Sequence, residues 1–222
     1  MLFRSLGGVG VRKDAQGRIV ALYAGDLAGN LWRLDYDADA DSRFKVGQGG
    51  AAVFRHGPTV AGQPPSIVQP PLVFNHRKGG WLVVFGTGRL FTQADADDTS
   101  PQAVYGIWDR PADPAPAATS PIGPADLATR RLALPPADSQ QSQPAFVEVT
   151  GDAIDWGLRR GWMLMLDGLA GYEGLRVLYP VQAVRDRVVL VGAVVPGSAS
   201  KPCEGSTGKG LNLLLPVDSG AA

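Results

Sequence analysis

The chain has 222 residues, of which 45% are hydrophobic and 19% are charged, and it contains 29 glycines and 18 prolines. The apolar fraction is sufficient for a folded core, and the 18 Asp against 3 Glu favour strands and turns over a helical bundle. The formal net charge is zero, with 21 basic and 21 acidic residues, which excludes the basic surface of a nucleic-acid-binding protein.

Cysteine content and hydropathy set two further limits. Cys203 is the only cysteine, so the sequence excludes an intrachain disulfide and a multi-cysteine zinc site. No apolar run approaches the roughly 18 residues of a transmembrane helix. Residues 1–8 lack the charged and apolar regions of a signal peptide. We therefore expect either a cytoplasmic protein or a piece of a longer one.

Short apolar runs, each closed by turn residues, recur along the chain. They are rich in valine, leucine and aromatic residues, which is typical of strands, and their spacing predicts an all-β sandwich, barrel or propeller. The best helix candidate, Ile154–Arg160, could equally be a turn before a strand. In chain order, the predicted strands are Ile19–Tyr23, Asn30–Leu34, Ala51–Phe54, Pro71–Phe74, Trp81–Phe85, Ala103–Trp108, Phe146–Val149, Trp162–Leu166, Arg176–Leu178, Val188–Val195 and Leu211–Leu215.

Residues 111–146 differ from the rest of the chain. They contain eight prolines together with many Ala, Ser and Gln residues, which predicts a solvated surface excursion with a short strand at Arg131–Leu134. Because the strand pattern resumes afterwards in the same style, we expect one domain, residues 1–222, with a long insertion. A domain boundary within the excursion is the alternative.

The strongest local signal is YAGDLAGNLWRLD at residues 23–35. Gly29 and Asn30 can supply the positive φ angles of a two-residue hairpin turn, and Asp26 is placed to accept hydrogen bonds from the turn amides. Trp32 and Leu34 would face one side of the second strand. By itself, this segment predicts a structural hairpin.

Three further segments are distinctive as strings of residues. They are QPPSIVQPP at 63–71, then FGTGR at 85–89 with QAVYGIWD at 102–109, then GWML at 161–164 with LRV at 175–177 and VVP at 194–196 before Cys203. The hairpin resembles the blade hairpins of quinoprotein-type β-propellers. In this order, all four segments resemble the C-terminal propeller of the PilY/PilC-type type IV pilus biogenesis factors, which are tip-associated adhesins.

The resemblance implies a quinoprotein-like β-propeller with a partial set of antiparallel blades. At about four strands per blade the chain is too short for a full large propeller, so we expect a fragment or a truncated paralogue. The resemblance also implies an extracytoplasmic non-enzyme at the outer membrane or cell surface, as part of a fimbrium. Its implied partners are pilins or minor pilins, and host or abiotic surfaces to which the pilus attaches.

The family's characteristic ligand is calcium, held by an Asp-rich loop just before the hairpin. The matching stretch, residues 14–20, keeps Asp14, but Gln16 offers only an amide oxygen and Val20 stands where another carboxylate is expected. Arg18 adds a positive charge. Since Ca²⁺ takes about six to eight oxygen ligands, we predict weak or absent calcium binding here.

Two other acidic clusters are candidate metal sites. If a metal binds anywhere, the first cluster is preferred, because its alternate carboxylates could converge in a loop. Its pattern lacks the turn glycine and the closing glutamate of a calcium loop, and Ser42 and Gln48 stand at those positions. For both clusters, Asp side chains that cap backbone amides in a solvated turn are the alternative. The clusters are Asp35, Asp37, Asp39 and Asp41, and Asp95, Asp97 and Asp98.

Catalytic groups are sparse, so we predict that the chain is not an enzyme. His56 and His76 are expected in surface loops, and Cys203 has no histidine near it in sequence. The enzyme alternative is a dehydrogenase with a pyrroloquinoline quinone cofactor, because both propeller groups contain the hairpin. A third possibility is an outer-membrane assembly scaffold. The tryptophans are expected in blade cores rather than in a carbohydrate platform, and they are Trp32, Trp81, Trp108, Trp156 and Trp162.

Overall fold

A computed structural model of the chain describes residues 5–39, 41–57, 64–110, 121–134, 147–197 and 208–221. These residues form fifteen strands in three sheets, with one short α-helix. Across the described ranges, no helix has the length and apolar character needed to cross a bilayer. The all-β prediction is confirmed.

The first sheet is antiparallel and has the order β1-β2-β3-β4, with β5 also paired to β3. The sequence did not predict β1, because its glycines lower strand propensity. They are required by a close approach, since a Cβ atom at Gly10 would lie 2.1 Å from the Pro71 carbonyl oxygen. The strands are β1 Leu6–Lys13, β2 Ile19–Asp26, β3 Asn30–Tyr36, β4 Phe44–Val46 and β5 Phe54–Arg55.

The second sheet has the order β10-β9-β11-β8-β7-β6, and it is antiparallel except where β9 pairs with β11. A short helix, α1 (Gln93–Asp97), connects β7 to β8. The helix candidate Ile154–Arg160 is instead a turn that precedes β11. The strands are β6 Leu72–Asn75, β7 Trp81–Gly86, β8 Ala103–Asp109, β9 Ala128–Ala133, β10 Glu148–Thr150 and β11 Gly161–Met165.

The third sheet is built around its central strand, β14, which pairs with β15 on one side and with β12 and β13 on the other. All of these pairings are antiparallel. The strands are β12 Arg176–Val177, β13 Gln182–Arg185, β14 Val188–Val195 and β15 Lys209–Pro216.

The second sheet is buried on both faces, because it lies between the other two. Along β7, Val83 and Phe85 belong to an apolar cluster shared with the first sheet, whereas Leu82 and Val84 belong to one shared with the third. A strand with two buried faces reads as a continuous apolar run, as WLVVF does here. Three sheets stacked face to face correspond to successive blades of a propeller.

The structure describes residues 121–134 of the proline-rich excursion, and the strand predicted at Arg131–Leu134 is β9, Ala128–Ala133. Cys203 lies outside the described residues. The prediction for the tryptophans holds for Trp32, Trp108 and Trp162, which are buried. Trp81 and Trp156 are half-buried.

Candidate functional site

The hairpin between β2 and β3 is organised by one carboxylate. Asp26 accepts hydrogen bonds from the backbone N–H groups of Ala28 and Asn30 at 2.9 Å each, and from the Asn30 side-chain amide at 2.8 Å. The indole Nε1 of Trp32 donates to the same carboxylate at 2.9 Å. Gly29 adopts a φ of +75°, which closes the turn. The predicted role of Asp26 as a turn cap is confirmed.

Each of the four distinctive sequence segments contributes a short stretch of backbone to the contacts between the three sheets. Three backbone hydrogen bonds connect them, and we call residues 25–27, 66–67, 86–88 and 176–177 the inter-sheet junction. The bonds run from Ile67 N to Asp26 O at 3.0 Å, from Gly88 N to Ser66 O at 2.9 Å and from Val177 N to Thr87 O at 2.9 Å.

The glycines of the junction allow the backbones to approach closely. A Cβ atom at Gly25 would lie 2.1 Å from Ile67 Cγ2, and one at Gly86 would lie 2.4 Å from Val177 Cγ2. Gly88 adopts a φ of +150°, which residues with a side chain rarely adopt. The GD and GTG patterns therefore have a packing explanation.

A buried arginine joins the third sheet to the second. Arg176 is 1% exposed, and its guanidinium donates to the backbone carbonyls of Gly174 at 2.9 Å and Arg89 at 3.2 Å. It also donates to the carbonyls of Asp95 and Asp98, at the end of α1. Burial lowers the pKa of this guanidinium. Arg176 lies in the LRV segment, and its neighbours in sequence do not predict this role.

One residue of the second acidic cluster, Asp95, forms the N-terminal capping box of α1 with Thr92. The Asp95 carboxylate accepts from the backbone N–H of Thr92 at 2.9 Å and from Arg89 Nε at 2.7 Å. Burial alone would raise the pKa of Asp95, but hydrogen bonds from the backbone and from Arg89 lower it to about 2. Asp98 accepts from a backbone N–H two residues later, and Asp97 is exposed. Amide capping therefore accounts for Asp95 and Asp98.

A buried polar network connects the first sheet to the second. Asp109 is fully buried and accepts from the Tyr23 hydroxyl at 2.6 Å, from Arg33 Nη1 at 2.9 Å and from Gln48 Nε2 at 3.1 Å. Arg33 also pairs with Asp35 at 3.0 Å. Burial and the Asp109 carboxylate raise the pKa of Tyr23, so its hydroxyl stays protonated and donates.

In the loop where the resemblance implies a calcium site, the Asp14 carboxylate is already engaged by the protein. Asp14 Oδ1 accepts from the backbone N–H groups of Gln16 and Arg18 at 2.9 Å each. Asp14 Oδ2 accepts from Arg18 Nε at 2.7 Å. These hydrogen bonds lower the pKa of Asp14, that of the Arg18 backbone foremost. Both carboxylate oxygens of Asp14 are therefore used within the turn. The guanidinium of Arg18, which lies beside them, would repel a calcium ion.

The structure does not bring the preferred metal candidates together. Asp35 forms an ion pair with Arg33 of the buried network, and Asp37 forms one with Lys45 at 2.8 Å. Asp39 and Asp41 are exposed. In the part of the chain that the structure describes, no group of three or more His, Cys, Asp and Glu side chains could hold a metal ion. The assignment of a metal to this run stays a prediction.

The two histidines occupy different environments. His76 is only 6% exposed and lies between two indole rings, with centroid distances of 4.1 Å to Trp108 and 4.4 Å to Trp156. Its prediction as a surface residue was wrong, because the aromatic side chains around it are distant in sequence. Burial lowers the pKa of His76 to about 4. His56 is half-buried, 3.4 Å from the Gly57 carbonyl oxygen.

Comparison with known proteins places these features in a family. The family model of the PilY1 β-propeller domain matches residues 8–132. The type IV pilus biogenesis factor PilY1 of Pseudomonas aeruginosa is 37% identical over 106 residues, which cover 40% of this chain and 9% of the relative. A PilY1 homolog of Xylella fastidiosa is 36% identical over 90 residues, which cover 40% of this chain and 7% of the relative.

A solved structure extends the likeness to almost the whole chain. The crystal structure of the Pseudomonas aeruginosa PilY1 C-terminal domain matches with a TM-score of 0.73 and 27% sequence identity. The match covers 97% of this chain and 47% of that one, so the chain spans about half of the solved domain. The chain belongs to the family of the PilY1 β-propeller domain.

Proposed function

We propose that this chain is a propeller module of a type IV pilus biogenesis factor and supports pilus assembly. The observation that carries the proposal is the structural match over 97% of the chain to the PilY1 C-terminal domain. The inter-sheet junction supports it as well, because the segments that resemble the family are those that join the three sheets.

We further propose that the module is not an enzyme. Three of the buried ionisable groups, Asp26, Asp109 and Arg176, are engaged by donors or acceptors of the surrounding fold. A catalytic acid, base or nucleophile needs a group that is free to meet a substrate. These side chains instead serve to hold hairpins and sheets in place.

The proposed setting is extracytoplasmic, at the outer membrane or cell surface, with pilins or minor pilins as partners. Attachment of the pilus to host or abiotic surfaces is the second part of the proposed role. Support for this setting comes from the relatives, which are described as type IV pilus biogenesis factors.

Co-purification tests the proposal directly. A tagged copy of the chain, produced in a piliated bacterium that carries its gene, is expected to capture pilins or minor pilins. Capture of outer-membrane assembly proteins without any pilin would overturn the proposal in favour of the assembly scaffold. Oxidation of an alcohol or sugar that depends on added pyrroloquinoline quinone and calcium would overturn the non-enzymatic role.

A further inference from the structure

The first sheet carries an apolar surface on the side that faces away from the second sheet. Tyr23 points towards the second sheet, because it belongs to the apolar cluster that the two sheets share. Successive side chains of a strand alternate between the two faces of a sheet, so Leu22 points outwards. Leu22 belongs to a row of paired apolar residues that crosses β1, β2, β3 and β4. The row is Val11, Leu22, Leu34 and Val46, Val9 and Tyr36 lie beside it, and we call these six residues the first face.

The third sheet carries a similar surface on the side that faces away from the second sheet. Val191 points towards the second sheet, in the apolar cluster that those two sheets share. Leu190 therefore points outwards, where it is paired with Leu214. The ring of Tyr179 covers Gly192 on the same side, because its Cδ2 atom lies 4.0 Å from the position that a Cβ atom at Gly192 would occupy. We call the outward residues Tyr179, Leu190, Val194 and Leu214 the third face.

Both faces expose large apolar side chains to solvent. On the first face, Val9 and Val11 are 47% and 42% exposed, and on the third face, Tyr179 and Leu214 are 60% and 64% exposed. An antiparallel strand with one solvated face alternates apolar and polar residues, whereas VVLVGAVV of β14 contains no polar residue. It resembles WLVVF of β7, which is covered on both faces. Contiguous apolar surfaces of this kind mark interaction sites, so the sequence predicts a covering partner for each face.

A second copy of the chain has the surfaces that cover both faces. The second sheet already packs apolar face on apolar face against its two neighbours, and the same packing continues at each end of the stack. Propellers close with about four to eight blades. The described residues of one copy supply three sheets, and the chain spans 47% of the solved PilY1 domain. Two copies therefore supply six sheets and about the extent of that whole domain.

Twofold symmetry allows two copies to close without a free end. When the first face of one copy meets the third face of its partner, the symmetry axis generates the same contact a second time. With strands about 4.8 Å apart and a rise of about 3.3 Å per residue, a face three to four strands wide and about six residues long measures about 300 Å². The four faces of a closed dimer then bury about 1,200 Å², which reaches the size of a specific interface.

We propose that two copies of this chain associate into a closed ring of six sheets, in which the first face of each copy packs on the third face of the other. An open stack leaves an apolar face in water at each end, whereas the closed dimer covers all four. The inference rests on the propeller fold and is independent of the proposed role in pilus assembly. A chain that proves to be monomeric would therefore overturn the ring and leave the proposed function standing.

Sedimentation equilibrium of the full chain tests the proposal. We expect a species of twice the mass of the chain, with a dissociation constant in the micromolar range or tighter. A chain that stays monomeric at about 100 µM would overturn the proposal. Assemblies that keep growing with concentration would also overturn it, because they would show that the faces join end to end without closing.

Charged substitutions identify the surfaces that associate. Val11→Lys on the first face and Leu214→Glu on the third are each expected to weaken the dimer about a hundredfold, because every dimer then buries the new charge twice. Leu158→Lys is the matched control, since Leu158 is 79% exposed in the turn before β11 and belongs to neither face. This control is expected to leave the dimer unchanged, and an equal loss in all three variants would overturn the proposal.

A mixture of the two face variants separates the proposed pairing from a pairing of like faces. In a dimer that contains one copy of each, one contact joins two unaltered faces, and the other joins a lysine to a face that carries a glutamate. We therefore expect the mixture of Val11→Lys and Leu214→Glu to dimerise more tightly than either variant alone. No gain on mixing would overturn the proposal. If either variant fails to fold, the mass of the unaltered chain still decides.

Discussion

The buried network around Asp109 predicts that Arg33, which is part of it, contributes far more to the stability of the fold than Arg18, which forms a similar ion pair at the surface. Arg33 Nη1 lies 2.9 Å from Asp109, with side chains 17% and 0% exposed. Arg18 Nε lies 2.7 Å from Asp14, with the arginine side chain 76% exposed. The two ion pairs have similar lengths and differ chiefly in burial, so the change to methionine at each arginine forms a matched comparison.

Arg33→Met leaves the Asp109 carboxylate buried without its cation. Removal of one partner from a buried ion pair costs about 3–5 kcal/mol. Tyr23 and Gln48 still donate to Asp109, so we expect the lower end, about 3 kcal/mol. With a urea dependence of about 2 kcal/mol per molar, the unfolding midpoint falls by about 1–2 M. Arg18→Met leaves a carboxylate that water reaches, and its midpoint is expected to stay within measurement error.

Urea unfolding followed by tryptophan fluorescence measures both variants against the unaltered chain. A large fall in the urea midpoint of Arg33→Met, with an unchanged dependence of the unfolding free energy on urea, would confirm that the network stabilises the packing of the first sheet on the second. Equal midpoints for the two variants would refute the reasoning, because burial would then make no difference to the pair.

Three further predictions follow from the site. Gly106→Ala brings a Cβ atom within 2.3 Å of an indole ring and is expected to cost about 1–3 kcal/mol in urea unfolding, whereas Gly123→Ala, whose nearest neighbour would lie at 3.8 Å, should cost much less. The magnetic resonance signals of the His76 ring should titrate near pH 4. Because the imidazole takes up a proton more readily in the unfolded chain, the folded state loses stability as the pH falls from about 6.5 towards 4. A titration midpoint near pH 6.5 for the folded chain would contradict the burial argument. Calorimetry should detect no micromolar Ca²⁺ binding, and a micromolar affinity that disappears in Asp14→Ala or Asp39→Ala would show that the corresponding loop binds calcium.

Local patterns predicted most of the strands and the hairpin, because turn chemistry and apolar alternation act over a few residues. They did not predict the short strands β4 and β13. Asp26 and Gly29 perform the turn roles expected of them, whereas the positive φ angle predicted for Asn30 was wrong, because Asn30 already begins β3. The strand β1 was not predicted, because glycines disfavour strands unless another backbone lies close to them. That backbone is at Pro71, about 60 residues further along the chain, so the local sequence does not reveal the contact. The helix α1 is only five residues long, too short for a periodic pattern.

The joining residues depend on contacts between distant segments, which a single sequence does not display. Arg176 meets carbonyls about 80 residues away, and Tyr23 meets a carboxylate 86 residues away.

The central claim is that this three-sheet module belongs to a factor that bacteria need to assemble type IV pili. Electron microscopy of surface pili tests it most directly, in a piliated bacterium from which the gene that encodes the chain has been deleted. We predict few or no surface pili in the deletion strain and restored pili when the unaltered gene is returned. Normal piliation in the deletion strain, with no second gene of the family present, would contradict the claim.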